Sequence, residues 1–343
     1  MTDDIHIRTE GAVGRITLTR PQALNALSHQ MALAIEAALD AWAHDDAIAM
    51  VLCDAEGERA FCAGGDIGHV RAKGVKGNYD AGRRFWADEY RMNAKLARFP
   101  KPYVALMHGF VMGGGVGIST HGSHRVVTDS TRLAMPECGI GLIPDVGGSL
   151  ILGRAPGRIG EYLGLTGTRI GAADAIFAGF ADVYVPEAEL PALTRALVEE
   201  PEPGAVLRRF AATPPGGVLA GLQADIDHAF SGELSRLPGA LSGEAEWQVA
   251  ALKALRHGCP LSIACTLELV RAARADPMIE HCLAREYRFT WRCMDQGEFM
   301  EGVRAAIVDK DRNPHWRLAP LEAVTPEHVA ALLAHLGADE LSF

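Results

Sequence analysis

Residues 134–149 read AMPECGIGLIPDVGGS, and they place two carboxylates, Glu137 and Asp145, among glycines, prolines and small apolar residues. An acid in a surface loop normally has Lys, Ser or Asn beside it. Here the neighbours are Met135, Ile140, Leu142, Ile143 and Val146. Removing a carboxylate from water is costly, and the usual result is a raised pKa. Either these acids point outward from an apolar ribbon, or they enter a pocket where they have a task. Gly139, Gly141 and Pro144 argue against one continuous helix between them, so the segment reads as a strand or turn that passes a pocket twice.

Two more stretches carry chemistry. CAGGDI (62–67) and MGGGVG (112–117) share one design, an apolar strand running into glycines and then an onward element. Glycine lets backbone approach a ligand closely and allows positive φ. Backbone N–H groups at such a turn, one from each, have the polarity to hold the oxyanion formed when a carbonyl is attacked or enolised. One donor of that kind is worth roughly 3–4 kcal/mol in the transition state. Tight turns and close helix packing explain glycines equally well. Neither turn is a G-x-G-x-x-G and no GK[ST] follows, which argues against dinucleotide and P-loop sites.

The helix pattern over 79–99 adds Glu89, which falls on the apolar stripe of Phe85, Met92, Leu96 and Phe99. It either has a buried partner or ligand, or bends its carboxylate out to water. Asp88, one position round, reads as a solvated acid. Ser119 and His121 lie two apart and would face different sides of a helix, with no G-x-S-x-G elbow, so a serine nucleophile is disfavoured. His121 and His124 have no evident third ligand, and no metal site is expected.

The elements that must position these groups follow from the periodicity. HIRTEGAVGRITLT reads as a β-hairpin, and Ser28 as the N-cap of a helix bearing Met31, Ile35, Ala38 and Trp42 on one face. Buried strands are expected at 49–55 and 102–109, a strand at 124–130, a strand entering a glycine turn at 58–68, helices over 148–178 and a last strand at 180–185. Strands alternating with helices imply crossovers and an α/β fold. Residues 200–217, EPEPGAVLRRFAATPPGG, are rich in proline and glycine and read as a linker. Beyond them the pattern is nearly all helical. This gives a core over 1–200 and a C-terminal helical region over 201–343.

Composition bounds the rest. With 343 residues, 48% hydrophobic and 22% charged, the chain has an ordinary globular balance. A formal net charge of −10 makes general nucleic-acid or anionic-membrane binding unfavourable. Seven cysteines without a C-x-x-C pair suggest reduced thiols. The acidic start MTDDIHIRTEG does not resemble a signal peptide, and no apolar run approaches a membrane span. A cytoplasmic location is expected.

The strings AFCAGGDI, KPYVALMHGFVMGGGVGIS and AMPECGIGLIPDVGGS resemble the crotonase (enoyl-CoA hydratase/isomerase) superfamily, over roughly residues 5–185. EYRFTWRCMDQGEFMEGVRAAIVDKDRNPHW (286–316) resembles the C-terminal segment of its acyl-CoA hydrolase branch. The resemblance implies a spiral of ββα units with C-terminal helices. It implies an oxyanion hole from the N–H groups of Gly65 and Gly114, catalytic roles for Glu137 and Asp145, and substrate contact by Glu89. Ala23, Leu24 and Asn25, in RPQALNAL, match the part of the family that lies along coenzyme A, largely through backbone. Coenzyme A would enter as part of the substrate, with no separate cofactor. Trimers and dimers of trimers are frequent in the superfamily, so a homo-oligomer is one expectation.

One departure decides among activities. Hydratases of the family generally carry a Glu where this chain has Gly117, and usually Gly where it has Asp145. The pair of acids has moved, and the chemistry should move with it, toward hydrolysis of a 3-hydroxyacyl thioester such as 3-hydroxyisobutyryl-CoA. Enoyl-CoA hydration or isomerisation, or acyl-CoA binding without turnover, are the alternatives. Cys138 stands where the branch commonly has Thr, and reads as a small apolar filler.

Overall fold

A computed structural model describes residues 3–343. In chain order the elements are β1 (Ile5–Glu10), β2 (Val13–Leu18), α1 (His29–Ala43), β3 (Met50–Ala55), β4 (Ala60–Cys62), α2 (Ile67–Gly74), α3 (Asp80–Ala97), β5 (Tyr103–Met107), β6 (Phe110–Met112), α4 (Gly114–Gly117), β7 (His124–Val127) and β8 (Arg132–Ala134). Then come α5 (Gly148–Arg154), α6 (Ile159–Thr166), α7 (Ala172–Phe177), β9 (Val183–Tyr184), α8 (Leu190–Glu199), α9 (Pro203–Phe210), α10 (Leu219–Ala229), α11 (Leu237–Ala240), α12 (Glu246–His257), α13 (Pro260–Ala275), α14 (Ile279–Arg292), α15 (Phe299–Val303) and α16 (Pro326–Leu333).

The strands form two sheets. The larger has the order β1-β2-β3-β5-β7-β9, and the smaller β4-β6-β8. Among the described residues only the β1–β2 strand pair is antiparallel; the remaining strand pairs of both sheets are parallel. β3, β5 and β7 each hand the chain to β4, β6 and β8, and helices follow. That is three successive ββα turns of a spiral. β5 is buried at every position, as a strand covered on both faces must be.

The chain divides into two compact units, neither continuous in sequence. One comprises residues 1–65, 88–134 and 169–220 and contains all the strands. Its core joins Val13, Met50, Leu52, Val104, Leu106 and Val126 to helix residues Leu193, Leu197, Val206 and Leu207. Ser28 caps α1 as its sequence predicts, accepting the Met31 N–H at 3.3 Å.

Residues 203–210 correct the linker reading. They form α9, with Pro203 in the first turn, where its fixed φ suits a helix and its missing N–H is not needed. Val206 and Leu207 then enter the core. Proline and glycine content concealed this two-turn amphipathic helix.

The other unit comprises residues 66–87, 135–168 and 221–343. It is built from α13, whose residues from Pro260 to Leu267 are all buried, with α5, α6, α12 and α14 packed around it. An edge-to-face pair of Trp86 and Phe299, with centroids 5.5 Å apart, ties the start of α3 to α15.

Candidate active site

In the strand-bearing unit the two glycine turns lie side by side. Leu27 donates its N–H to Gly64 O at 2.8 Å, and Ala63 donates to Leu24 O at 3.0 Å, so the 63–65 turn is laced to residues 24–27. A Cβ placed on Gly114 would stand 3.4 Å from Gly65 N and 2.9 Å from Glu89 Oε1. A Cβ on Gly115 would meet Cys62 O at 2.2 Å, so the end of β4 and the start of α4 are in backbone contact that only glycine permits. Gly114 is the first residue of α4, where a helix offers its N–H no acceptor. Gly65, Gly114 and Glu89 therefore share one neighbourhood, and Glu89 is buried on the stripe where the periodicity puts it.

Leu24 and Asn25 both hold left-handed backbone, with φ of 53° and 54°. The Asn25 side chain is wholly buried: its Oδ1 accepts the Arg20 N–H, and its Nδ2 donates to Glu56 O and Ala60 O, each at 2.9 Å. It fixes the loop from within, whereas Ala23 and Leu24 are half-buried. Asp88 is not simply solvated. It is half-buried, 2.7 Å from His29 Nε2 and 3.1 Å from Arg91 Nη1. A solvated reading fails because α3 presents it to α1, where His29 gives it a partner.

The helical unit holds the second group. Glu137 begins a single 3-10 turn, Glu137–Ile140, which ends at left-handed Gly141. The segment is thus no continuous helix, as its glycines require. Glu137 and Asp145 are 5% and 4% exposed, so both acids are taken from water. Burial, and secondarily the charge of Asp145, pushes the Glu137 carboxyl well above the usual range. Glu137 Oε2 is buried with no hydrogen-bond partner among the described residues. Cys138 Sγ lies 3.3 Å from Thr266 Oγ1, and burial raises its thiol, as befits a packed, unreactive cysteine.

Glu286 of α14 is a functional candidate that sequence reasoning missed. It is fully buried, and its carboxyl group receives Gly147 N–H at 2.8 Å, Ser149 N–H at 3.0 Å and Ser149 Oγ–H at 2.5 Å. Burial lifts it to about 8, with Asp145's charge adding to the rise and the Ser149 and Gly147 bonds opposing it. The signal that identified Glu89 was available here too. Glu286 lies on the stripe of Cys282, Leu283, Phe289 and Thr290, all buried on α14.

Gly117 lies within α4 and brings no acid to the glycine turn. Ser119 is buried and donates to Gly115 O at 2.6 Å, which leaves it a structural hydroxyl. Among the described residues no cluster of three His, Cys, Asp or Glu could hold a metal ion, and no helix is long and apolar enough to cross a membrane.

Comparison with known proteins agrees with this geometry. The enoyl-CoA hydratase/isomerase family model matches residues 13–333. A chicken (Gallus gallus) protein named 3-hydroxyisobutyryl-CoA hydrolase, mitochondrial, is 35% identical over 98% of this chain and 90% of its own length. A solved structure of an enoyl-CoA hydratase from Rhodobacter sphaeroides 2.4.1 is 51% identical with a TM-score of 0.95, covering 99% of this chain and all of that one. One of a carnitinyl-CoA dehydratase from Mycobacterium thermoresistibile is 42% identical at the same TM-score, covering 100% of this chain and 99% of that one. The spiral of ββα units, the adjoining glycine turns and the match along nearly the whole chain establish that it belongs to the enoyl-CoA hydratase/isomerase family.

Proposed function

We propose that the chain hydrolyses the thioester of a short-chain 3-hydroxyacyl-CoA, with 3-hydroxyisobutyryl-CoA its first substrate, giving 3-hydroxyisobutyrate and free coenzyme A. The observation that carries this reading is the buried pair Glu137 and Asp145 in a chain with Gly117 after the glycine triplet. Adding water across a C=C bond in this family draws on an acid at that missing position. The hydrolase relative's name supports the same reading.

In the proposed reaction the N–H groups of Gly65 and Gly114 hold the carbonyl oxygen as it gains charge. Glu137 either attacks the carbonyl carbon, expelling the CoA thiolate and leaving an anhydride that water opens, or removes a proton from a water that attacks directly. Asp145 holds the substrate's 3-hydroxyl or positions that water, and Glu89 lines the acyl group. Ala23, Leu24 and Asn25 present backbone to coenzyme A; the inward Asn25 side chain, which keeps that loop in shape, supports this. Thiolate is a good leaving group, so little acid catalysis at sulfur is needed.

Such an enzyme would serve valine breakdown. Seven free, buried cysteines suit a reducing compartment, and a cytoplasmic one is proposed; the chicken relative's name specifies mitochondria. A homo-oligomer is proposed on family precedent.

A second reading, hydration or dehydration of an acyl-CoA, is favoured by the names of the two similar solved structures. Incubation with 3-hydroxyisobutyryl-CoA and with crotonyl-CoA, following free thiol and loss of the conjugated double bond, separates the two. Thiol release from the first, with the second unchanged, is the expected result. Hydration of crotonyl-CoA without thiol release would replace the hydrolase reading.

A further inference from the structure

The acid that α14 supplies to the turn after Asp145 has no part in the reaction as proposed. Glu286 Oε2 accepts the Gly147 N–H, and Oε1 accepts both the N–H and the hydroxyl of Ser149. These donors follow Asp145 by two and four positions. The turn between is held in an unfavourable conformation: Val146 has φ 55° and Gly147 φ 78°. A β-branched residue in left-handed backbone is strained and persists only where its surroundings over-determine it. Gly148 N–H closes the turn onto Asp145 O at 2.7 Å.

A local Ser or Asn would satisfy such amides without burying a carboxyl group. The chain uses instead a fully buried Glu from a helix more than a hundred residues away. Both of its oxygens receive a backbone N–H, which only a carboxyl group matches. A glutamine would turn its NH2 toward one of the two donors.

We infer that Glu286 is a positioning residue for Asp145: by clamping Gly147 and Ser149 it fixes the strained turn that aims the Asp145 carboxylate. The inference rests on the hydrolase reading above. Burial and Asp145's charge raise the Glu286 pKa, and the Ser149 and Gly147 bonds oppose that rise by favouring the ionised form.

The test compares kcat and KM for 3-hydroxyisobutyryl-CoA in the wild type, Glu286→Gln and Ser149→Ala, together with amide hydrogen exchange at Gly147 and Ser149 in the wild type. Glu286→Gln should lower kcat about 10- to 100-fold, as a small misplacement does, with KM within about threefold. Ser149→Ala keeps its N–H and should lose only a few-fold, with a shifted acid limb of the pH–kcat profile. Both amides should exchange slowly. A kcat for Glu286→Gln within about twofold of wild type overturns the inference, as does a loss matched by the loss of folded protein, or fast exchange at both amides. Should Glu286→Gln fail to fold, the profile of Ser149→Ala decides: a shifted limb supports the role, an unchanged one overturns it. A wild type inert toward every CoA thioester overturns the hydrolase reading, and this role with it. An active wild type beside an equally active Glu286→Gln overturns this inference alone.

Discussion

Gly114 approaches Gly65 so closely that a methyl carbon at 114 would sit 3.4 Å from the Gly65 nitrogen, and it would crowd Glu89 Oε1 at 2.9 Å. Gly115 faces instead the carbonyl oxygen of Cys62, at 2.2 Å. Two neighbouring alanine variants should therefore fail differently. Gly114→Ala keeps its backbone N–H but sets a methyl group beside the Gly65 nitrogen and Glu89; it should fold and lose about 10²–10³-fold in kcat by obstructing the proposed oxyanion site. Gly115→Ala must move backbone, and should lose about 3 kcal/mol or more of stability. Thermal melts beside thiol-release rates distinguish them. Equal melting temperatures for both variants would contradict the close backbone contact.

Glu137 should impose an acid limb on turnover. Burial and Asp145's charge raise its pKa, and as nucleophile or base it works only when ionised. Thus kcat should climb with pH through a midpoint well above the ordinary carboxylate range, and Asp145→Asn should move that midpoint down. A kcat already flat from pH 5 upward would remove Glu137 from the rate-controlling step.

Glu286 should leave a mark on stability as well. Its folded pKa of about 8 exceeds the ordinary 4.5. The folded state then keeps a proton that the unfolded chain has released, so its contribution is full below about 4.5 and is lost as pH rises through about 8. The slope is at most about 1.4 kcal/mol per pH unit for one proton. Asp145's charge adds to that rise, while burial and then the Glu286 charge raise the Cys282 thiol to about 12, above this window. Urea midpoints from pH 5 to 8 should show the wild type's advantage over Glu286→Gln shrinking as pH rises. A constant difference would mean that Glu286 does not titrate there.

Asn25→Ala should destabilise the chain by about 2–4 kcal/mol. It abandons the Arg20 N–H and the carbonyls of Glu56 and Ala60, and asks alanine to hold left-handed backbone. A loss under about 1 kcal/mol in urea unfolding would show that the loop relaxes without it.

Much of the site was legible because its signals are local. An acid among apolar neighbours, as at Glu137 and Asp145, or on a helix's apolar stripe, as at Glu89, conflicts with its surroundings, and that conflict is visible in a short window. The hairpin and the Ser28 cap are likewise written in adjacent residues. Glu286 obeyed the same stripe rule, but its partners Gly147 and Ser149 lie on α5 and the turn before it, and no spacing along the chain announces them. α9 was missed because its helix-forming residues are flanked by prolines that composition alone reads as a linker. Asp88 looked solvated because its partner His29 belongs to another helix.

The most direct measurement is release of free thiol from 3-hydroxyisobutyryl-CoA by the wild type and by Glu137→Gln, with coenzyme A binding followed in parallel. Turnover in the wild type, a loss of about 10²–10⁴-fold in the variant and unchanged coenzyme A affinity are the predicted result. Near-normal turnover by Glu137→Gln would contradict the account.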